Sequence, residues 1–166
     1  MQPLTSLEHG DLSSSVLAGL ETGVLGAVCI SLYYSLGSWL LGQGPWVFPA
    51  RLAAAVFGRG VSRGGWGPAA AAGISLQVFA AGVLGVAFAL TVRRPAALRR
   101  TFLLGPLLGI SWYYLGYEVL LRQFGHGGYP FSPRRTMVVA HLIFGLVLGT
   151  YPRFLQAVRG GPSRSG

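Results

Sequence analysis

Lysine and asparagine do not occur in this 166-residue chain, aspartate and cysteine occur once each, and only 10% of the residues are charged. Soluble domains carry roughly a quarter of their residues as charges, so the composition excludes an ordinary soluble domain. A lone cysteine, Cys29 inside an apolar run, excludes an internal disulfide and reads as a small packing residue. The single aspartate, Asp11, leaves no set of aspartates for catalysis, and no phosphate-cradling loop, Cys/His metal spacing or organised Ser/His/Asp set is present. The chain therefore reads as no enzyme. Its first residues, "MQPLTSLEHGDLSSS", lack a basic leader and carry Glu8 and Asp11, so they do not read as a cleavable signal peptide.

What is present is apolar. Hydrophobic residues make up 52% of the chain, glycine occurs 26 times, and the mean hydropathy is +0.54. Four apolar runs, at about 16–41, 68–92, 102–121 and 136–151, predict four membrane spans in a single integral membrane domain over 1–158. The fourth is short unless it continues through Phe154, Leu155 and Val158. Residues 159–166 read as a disordered basic tail. All 13 basic residues are arginines, giving a formal charge of +9. They lie in loops between the runs and not along one amphipathic face, which argues for anionic lipid headgroups and against nucleic acid. The dense "RRPAALRR" loop at 93–100 places both termini in the cytoplasm.

Between the first two runs, "PARLAAAVFG" predicts a short helix at the membrane interface. Trp46, Phe48 and Trp66 read as interfacial anchors there, and Trp112, Tyr113 and Tyr114 do so on the third run. Part of the sequence occurs twice. "ISLYYSLGSWLLGQ" at 30–43 is echoed by "ISWYYLGYEVLLRQ" at 110–123, and "QVFAAGVLG" at 77–85 by "HLIFGLVLG" at 141–149. The echo points to two helical hairpins derived from one duplicated unit. The pairs Gly19 and Gly23, Gly105 and Gly109, and Gly145 and Gly149 have the small-xxx-small spacing that lets helices approach closely in lipid.

Ionisable and amide side chains within spans are costly and call for an explanation. Glu118 precedes Arg122 by four residues, the order that favours a structural ion pair, with Tyr114 four residues earlier as a hydrogen-bond donor. Glu21, Gln77 and His141 are candidates for a ligand or proton site. His141 could serve as an axial ligand to a chlorin or haem, but His9 and His126 lie in polar segments and offer no second ligand at its depth. Small four-helix multidrug exporters also carry a lone glutamate in their first span, but their loops are short, and the long aromatic loop here departs from that pattern.

The "HLIFGLVLG" run, the glycine-spaced first span and the Pro-Trp-Val-Phe-Pro loop resemble a loose class of uncharacterised small bacterial inner-membrane proteins. That resemblance implies four helices and a bacterial inner membrane, and no particular activity. The expectation is an all-α four-helix membrane bundle acting as a non-catalytic accessory or scaffold subunit among other membrane subunits. The alternatives are a small transporter using Glu21, Gln77 and His141, and a pigment- or quinone-associated subunit with His141 at the cofactor.

Overall fold

A computed structural model describes residues 4–58, 66–92, 98–124 and 134–160, and it is helical throughout, with no strand among them. The glycine-rich return at 59–65, the first part of the "RRPAALRR" loop, the 125–133 loop with His126, and the tail from 161 lie outside the described residues. The helices are α1 (Leu4–Leu40), α2 (Val47–Phe57), α3 (Pro68–Thr91), α4 (Leu98–Trp112), a π-helical segment (Tyr113–Leu121), α5 (Arg122–Phe124), α6 (Arg134–Gly149) and α7 (Tyr151–Arg159).

Three helices are long and apolar enough to cross a membrane: Leu12–Leu40 of α1, α3, and the joined stretch Arg134–Arg159 of α6 and α7. The last of these carries the fourth run past its apolar edge. Tyr151 and Leu155 are buried, and Phe154 and Val158 pack against the core. The third run behaves differently. It is helical from Leu98 to Phe124, but its winding changes from α to π at Tyr113, leaving 15 α-helical residues. Fifteen residues rise only about 22 Å, so α4 alone is shorter than the roughly 30 Å of bilayer hydrocarbon.

On α1 the buried positions are 15, 18, 19, 22, 23, 26, 27, 30 and 34. They advance by three or four and form one stripe of mostly small residues, because that spacing keeps a single face toward neighbouring helices. The lower part of the stripe meets α3. A Cβ on Gly19 would fall 2.6 Å from the Gly85 carbonyl oxygen, and one on Gly23 would meet Ala81 and Gly82. The second hairpin repeats the device, with Gly105 set against Gly145 and Gly149, and Gly109 against the backbone of His141. Each antiparallel pair thus approaches to backbone contact. The two hairpins join through α1 and α6, where the Phe144 ring occupies the notch at Gly26 beside Ala27, Ala140 and Leu148.

Helix α2 starts after the turn at Gly42 and Gly44 and stops at Gly58, whose φ of 93° is open to glycine without strain. Ser35 ties that turn to α1 through a 3.0 Å bond from Oγ to the Pro45 carbonyl. The alanine face of α2 packs on α3, and Gly73 leaves room for the Pro49 carbonyl. Phe48 stacks on Tyr34 at 3.8 Å, and Trp46 meets Trp66 edge-on at 4.7 Å. Of the aromatics read as interfacial anchors, Tyr113 is buried and Phe48 and Trp112 are half-buried, whereas Trp46, Trp66 and Tyr114 face outward.

The glycine crossings make a direct prediction for stability. Gly85→Ala should cost about 1–3 kcal/mol, the range for overpacking a filled site. Gly37 has open space around its Cβ position. Gly37→Ala should leave stability unchanged or raise it by up to about 1 kcal/mol, the helix-propensity difference. Thermal unfolding of both variants in detergent checks the contrast.

Candidate functional site

A cavity of about 270 Å³ lies where the two hairpins diverge. Its walls come from α1 (Ile30, Tyr34), α2 (Phe48, Leu52, Val56), α3 (Gln77, Ala80), the Trp112 end of α4, the π segment (Gly116, Tyr117, Leu120) and α6 (Met137, His141). Helix α3 and the π segment face one another across it without extended packing. The cavity is therefore half open, and Val56 and Leu120, both outward-facing, stand at its edge.

The polar groups in this apolar wall are few and placed by specific bonds. Gln77, 9% exposed, donates from Nε2 to the Ala27 carbonyl at 3.2 Å, which ties α3 to α1. Its Oε1 is buried and has no protein partner. Tyr34, 5% exposed, also has a buried hydroxyl with no partner. His141 donates from Nδ1 to the Met137 carbonyl at 2.8 Å, one turn back on its own helix. A carbonyl can only accept, so the proton sits on Nδ1, and Nε2 is the acceptor nitrogen of the neutral ring. The Tyr113 ring meets the His141 ring edge-on at 5.5 Å and stacks on Tyr117 at 5.6 Å.

Gln77 and His141, the two positions aligned by the sequence echo, thus line one cavity from the two hairpins. They also hold matching places. Each lies one turn before a small residue at a helix crossing, Ala81 against Gly23 and Gly145 against Gly105. Glu21 does not join them. It sits two residues from both Gly19 and Gly23, about 200° around the helix, and is exposed on the opposite face. Sequence reasoning missed Tyr34 as a site residue. The available signal was a tyrosine within an apolar span, whose hydroxyl needs a partner when buried.

The acidic residue of the third run has a different partner from the expected one. Glu118 pairs with Arg134 at the start of α6, with Nη2 and Oε1 3.2 Å apart, and not with Arg122. It accepts a 3.5 Å hydrogen bond from the Tyr113 hydroxyl, not from Tyr114. The π winding explains the tyrosine. Its wider turn brings residues five apart together, as i→i+5 bonding requires, so Tyr113 faces Glu118 while Tyr114 turns outward.

The His141 ring has the tautomer that axial ligation needs, with Nδ1–H held by a carbonyl and Nε2 free. The cavity of about 270 Å³ exceeds the roughly 150 Å³ that admits benzene, so at least one aromatic ring fits within it. No protein-family model, curated protein or solved structure matches the chain.

The ion pair predicts a pattern of coupling. Arg134 is 73% exposed and Glu118 19%, so the pair should contribute at most about 1 kcal/mol. Glu118→Gln and Arg134→Gln should each lower stability by up to that amount, and the double variant should cost less than their sum. Arg122→Gln should add to Glu118→Gln without coupling. Thermal unfolding of the six proteins, wild type included, gives the result.

Proposed function

We propose that this chain is a non-catalytic, four-span protein of the bacterial inner membrane that holds a lipid-soluble ligand between its two hairpins, as one subunit of a larger membrane assembly. The observation that carries this reading is the half-open cavity, apolar except for the polar groups of Tyr34, Gln77, Trp112, Tyr117 and His141. An apolar pocket with a few convergent polar groups is the usual form of a small-molecule site. The outward-facing Val56 and Leu120 at its edge suit an entrance from hydrocarbon, not from water.

The fourth span is the helical stretch Leu98–Phe124. With the π segment and α5 added to α4, it is long enough to reach across hydrocarbon, and Leu103, Leu107, Leu115 and Val119 face outward along it. With four spans both termini share a side, and the arginines of residues 93–100 favour the cytoplasm for it. The matching places of Gln77 and His141 and the repeated glycine crossings support descent of the hairpins from one duplicated unit. The outward face of Glu21 separates it from the cavity and argues against transport through a Glu21–Gln77–His141 site.

Filling the cavity tests the proposal. Ala80→Trp places a large ring in the space beside Gln77. Protein released gently from native membranes should carry a lipid-soluble small molecule detectable by mass spectrometry, and Ala80→Trp should lower its occupancy about tenfold or more, equivalent to some 1.4 kcal/mol. Equal occupancy in a folded variant would place the ligand elsewhere.

A further inference from the structure

The outward face of α1 carries a carboxylate at a depth where lipid offers it no partner. Its level follows from the glycine crossing. A Cβ on Gly19 would meet Gly85 and Ala89, and one on Gly23 would meet Ala81 and Gly82. Glu21 lies between the two and is therefore level with Gly85, about 9 Å inside the Thr91 end of α3. It belongs to Leu12–Leu40, a stretch long and apolar enough to cross the membrane. Its direction follows from the helical period, which sets it opposite the face that α1 turns to α3 and α6. Glu21 is exposed and has no ion-pair or hydrogen-bond partner among the described residues.

The residues around it form one stripe. Leu17, Glu21, Leu25, Val28 and Leu32 follow at intervals of three or four, and all are exposed. That spacing aligns them along one side of the helix. The four apolar members suit lipid and a neighbouring helix equally. The carboxylate does not. An ionisable side chain within a span almost always faces a bundle interior or a water-filled cavity and pairs with another group there. A long lysine or arginine can snorkel to the interface, but glutamate lacks the stem for it. Within this chain alone, Glu21 breaks that rule.

Charge decides among the possible occupants of the stripe. A second copy, related by a two-fold axis along the membrane normal, would bring the stripe against itself with Glu21 level with Glu21. Like charges brought together in a low dielectric repel. Lipid tails offer no cation. A span of a different polypeptide with an arginine or lysine at this depth gives the carboxylate a charge-assisted hydrogen bond. The apolar residues of such a span cover Leu17, Leu25 and Val28 and keep water from the pair.

We propose that the stripe from Leu17 to Leu32 on α1 is the docking surface for a membrane span of another subunit, and that an arginine or lysine of that span pairs with Glu21. The inference rests on reading this chain as one subunit of a larger membrane assembly. It does not depend on the cavity.

Photo-cross-linking in native membranes tests this. The photoreactive residue p-benzoylphenylalanine is placed at Leu17 and, in a second variant, at Leu25, one turn to either side of Glu21. Irradiation should join both positions to one other polypeptide. The joined peptide, read by mass spectrometry, should be a membrane span containing an arginine or lysine. Glu21→Gln should lower the yield about tenfold or more, the scale of one lost hydrogen bond to a charged group. Glu21→Arg should abolish it, and a glutamate in place of the partner's cation should restore it. Thermal unfolding of the isolated chain in detergent should be the same for Glu21→Gln and wild type. A lower melting temperature for Glu21→Gln would assign the carboxylate to a bond within this chain and overturn the proposal. Cross-links to lipid alone, to a second copy or to a span without a cation would also overturn it, as would a yield indifferent to Glu21→Gln. Native gel electrophoresis of gently solubilised membranes separates the two readings. A particle larger than the chain alone, without cross-links from α1, removes the docking surface and leaves the subunit. A chain that migrates alone removes both.

Discussion

Backbone-to-backbone contact at the glycine crossings is the constraint from which the rest of the structure follows. In lipid there is no hydrophobic gain from pressing one apolar helix against another, so association depends on close packing. The approach of Gly19 and Gly23 to Gly85 and Ala81, and of Gly105 and Gly109 to Gly145 and His141, leaves no room for a Cβ. Bulky side chains are thereby displaced to other faces. Many turn outward, as Leu32, Leu36 and Trp39 do on α1 and Phe79 does on α3. Others fill the joint between hairpins, where Phe144 enters the notch at Gly26. Two hairpins closed so tightly at their crossings, and joined mainly through α1 and α6, leave α3 and the π segment apart. The cavity is the consequence of that geometry, with α2 packed over its side.

The same constraint governs the polar groups. Away from water an unpaired amide or hydroxyl is costly, so most of them bond to backbone within reach. Thr22 returns its hydroxyl to the Ala18 carbonyl at 2.5 Å, Gln77 reaches Ala27, and His141 reaches Met137. These bonds also fix which atoms remain. Buried side-chain oxygens are left over at Tyr34 and Gln77, two of the residues that line the cavity, and also at Thr101 and Tyr151, which lie elsewhere in the bundle.

Much of this was legible in the sequence, and the parts that were not have identifiable causes. Apolar runs located α1, α3 and α6, and small-xxx-small spacing marked Gly19 and Gly23 on α1 and both sides of the second crossing, but not Gly85 and its neighbours on α3. The echo paired Gln77 with His141 before any coordinates did. The π winding at Tyr113–Leu121 was not legible, because an apolar, aromatic run is compatible with either helix. That one change redirected Glu118 from Tyr114 to Tyr113 and interrupted the third apolar helix. The pairing of Glu118 with Arg134 depends on how α6 starts beside the π segment, a tertiary fact that i, i+4 spacing cannot carry. Glu21 was placed among bundle residues because it lies in an apolar run. Its angular distance from Gly19 and Gly23 already put it on the other face.

The central claim is that the two hairpins part to form an apolar cavity open to lipid between α3 and the π segment, and Trp112 reports on it directly. With Trp39, Trp46 and Trp66 replaced by phenylalanine, Trp112 is the only tryptophan left in the chain. In bilayers whose acyl chains carry bromine, its fluorescence should be strongly quenched, while iodide in the aqueous phase should leave it unaffected. Quenching by iodide without quenching by brominated chains would mean that the cavity faces water, and would contradict the account.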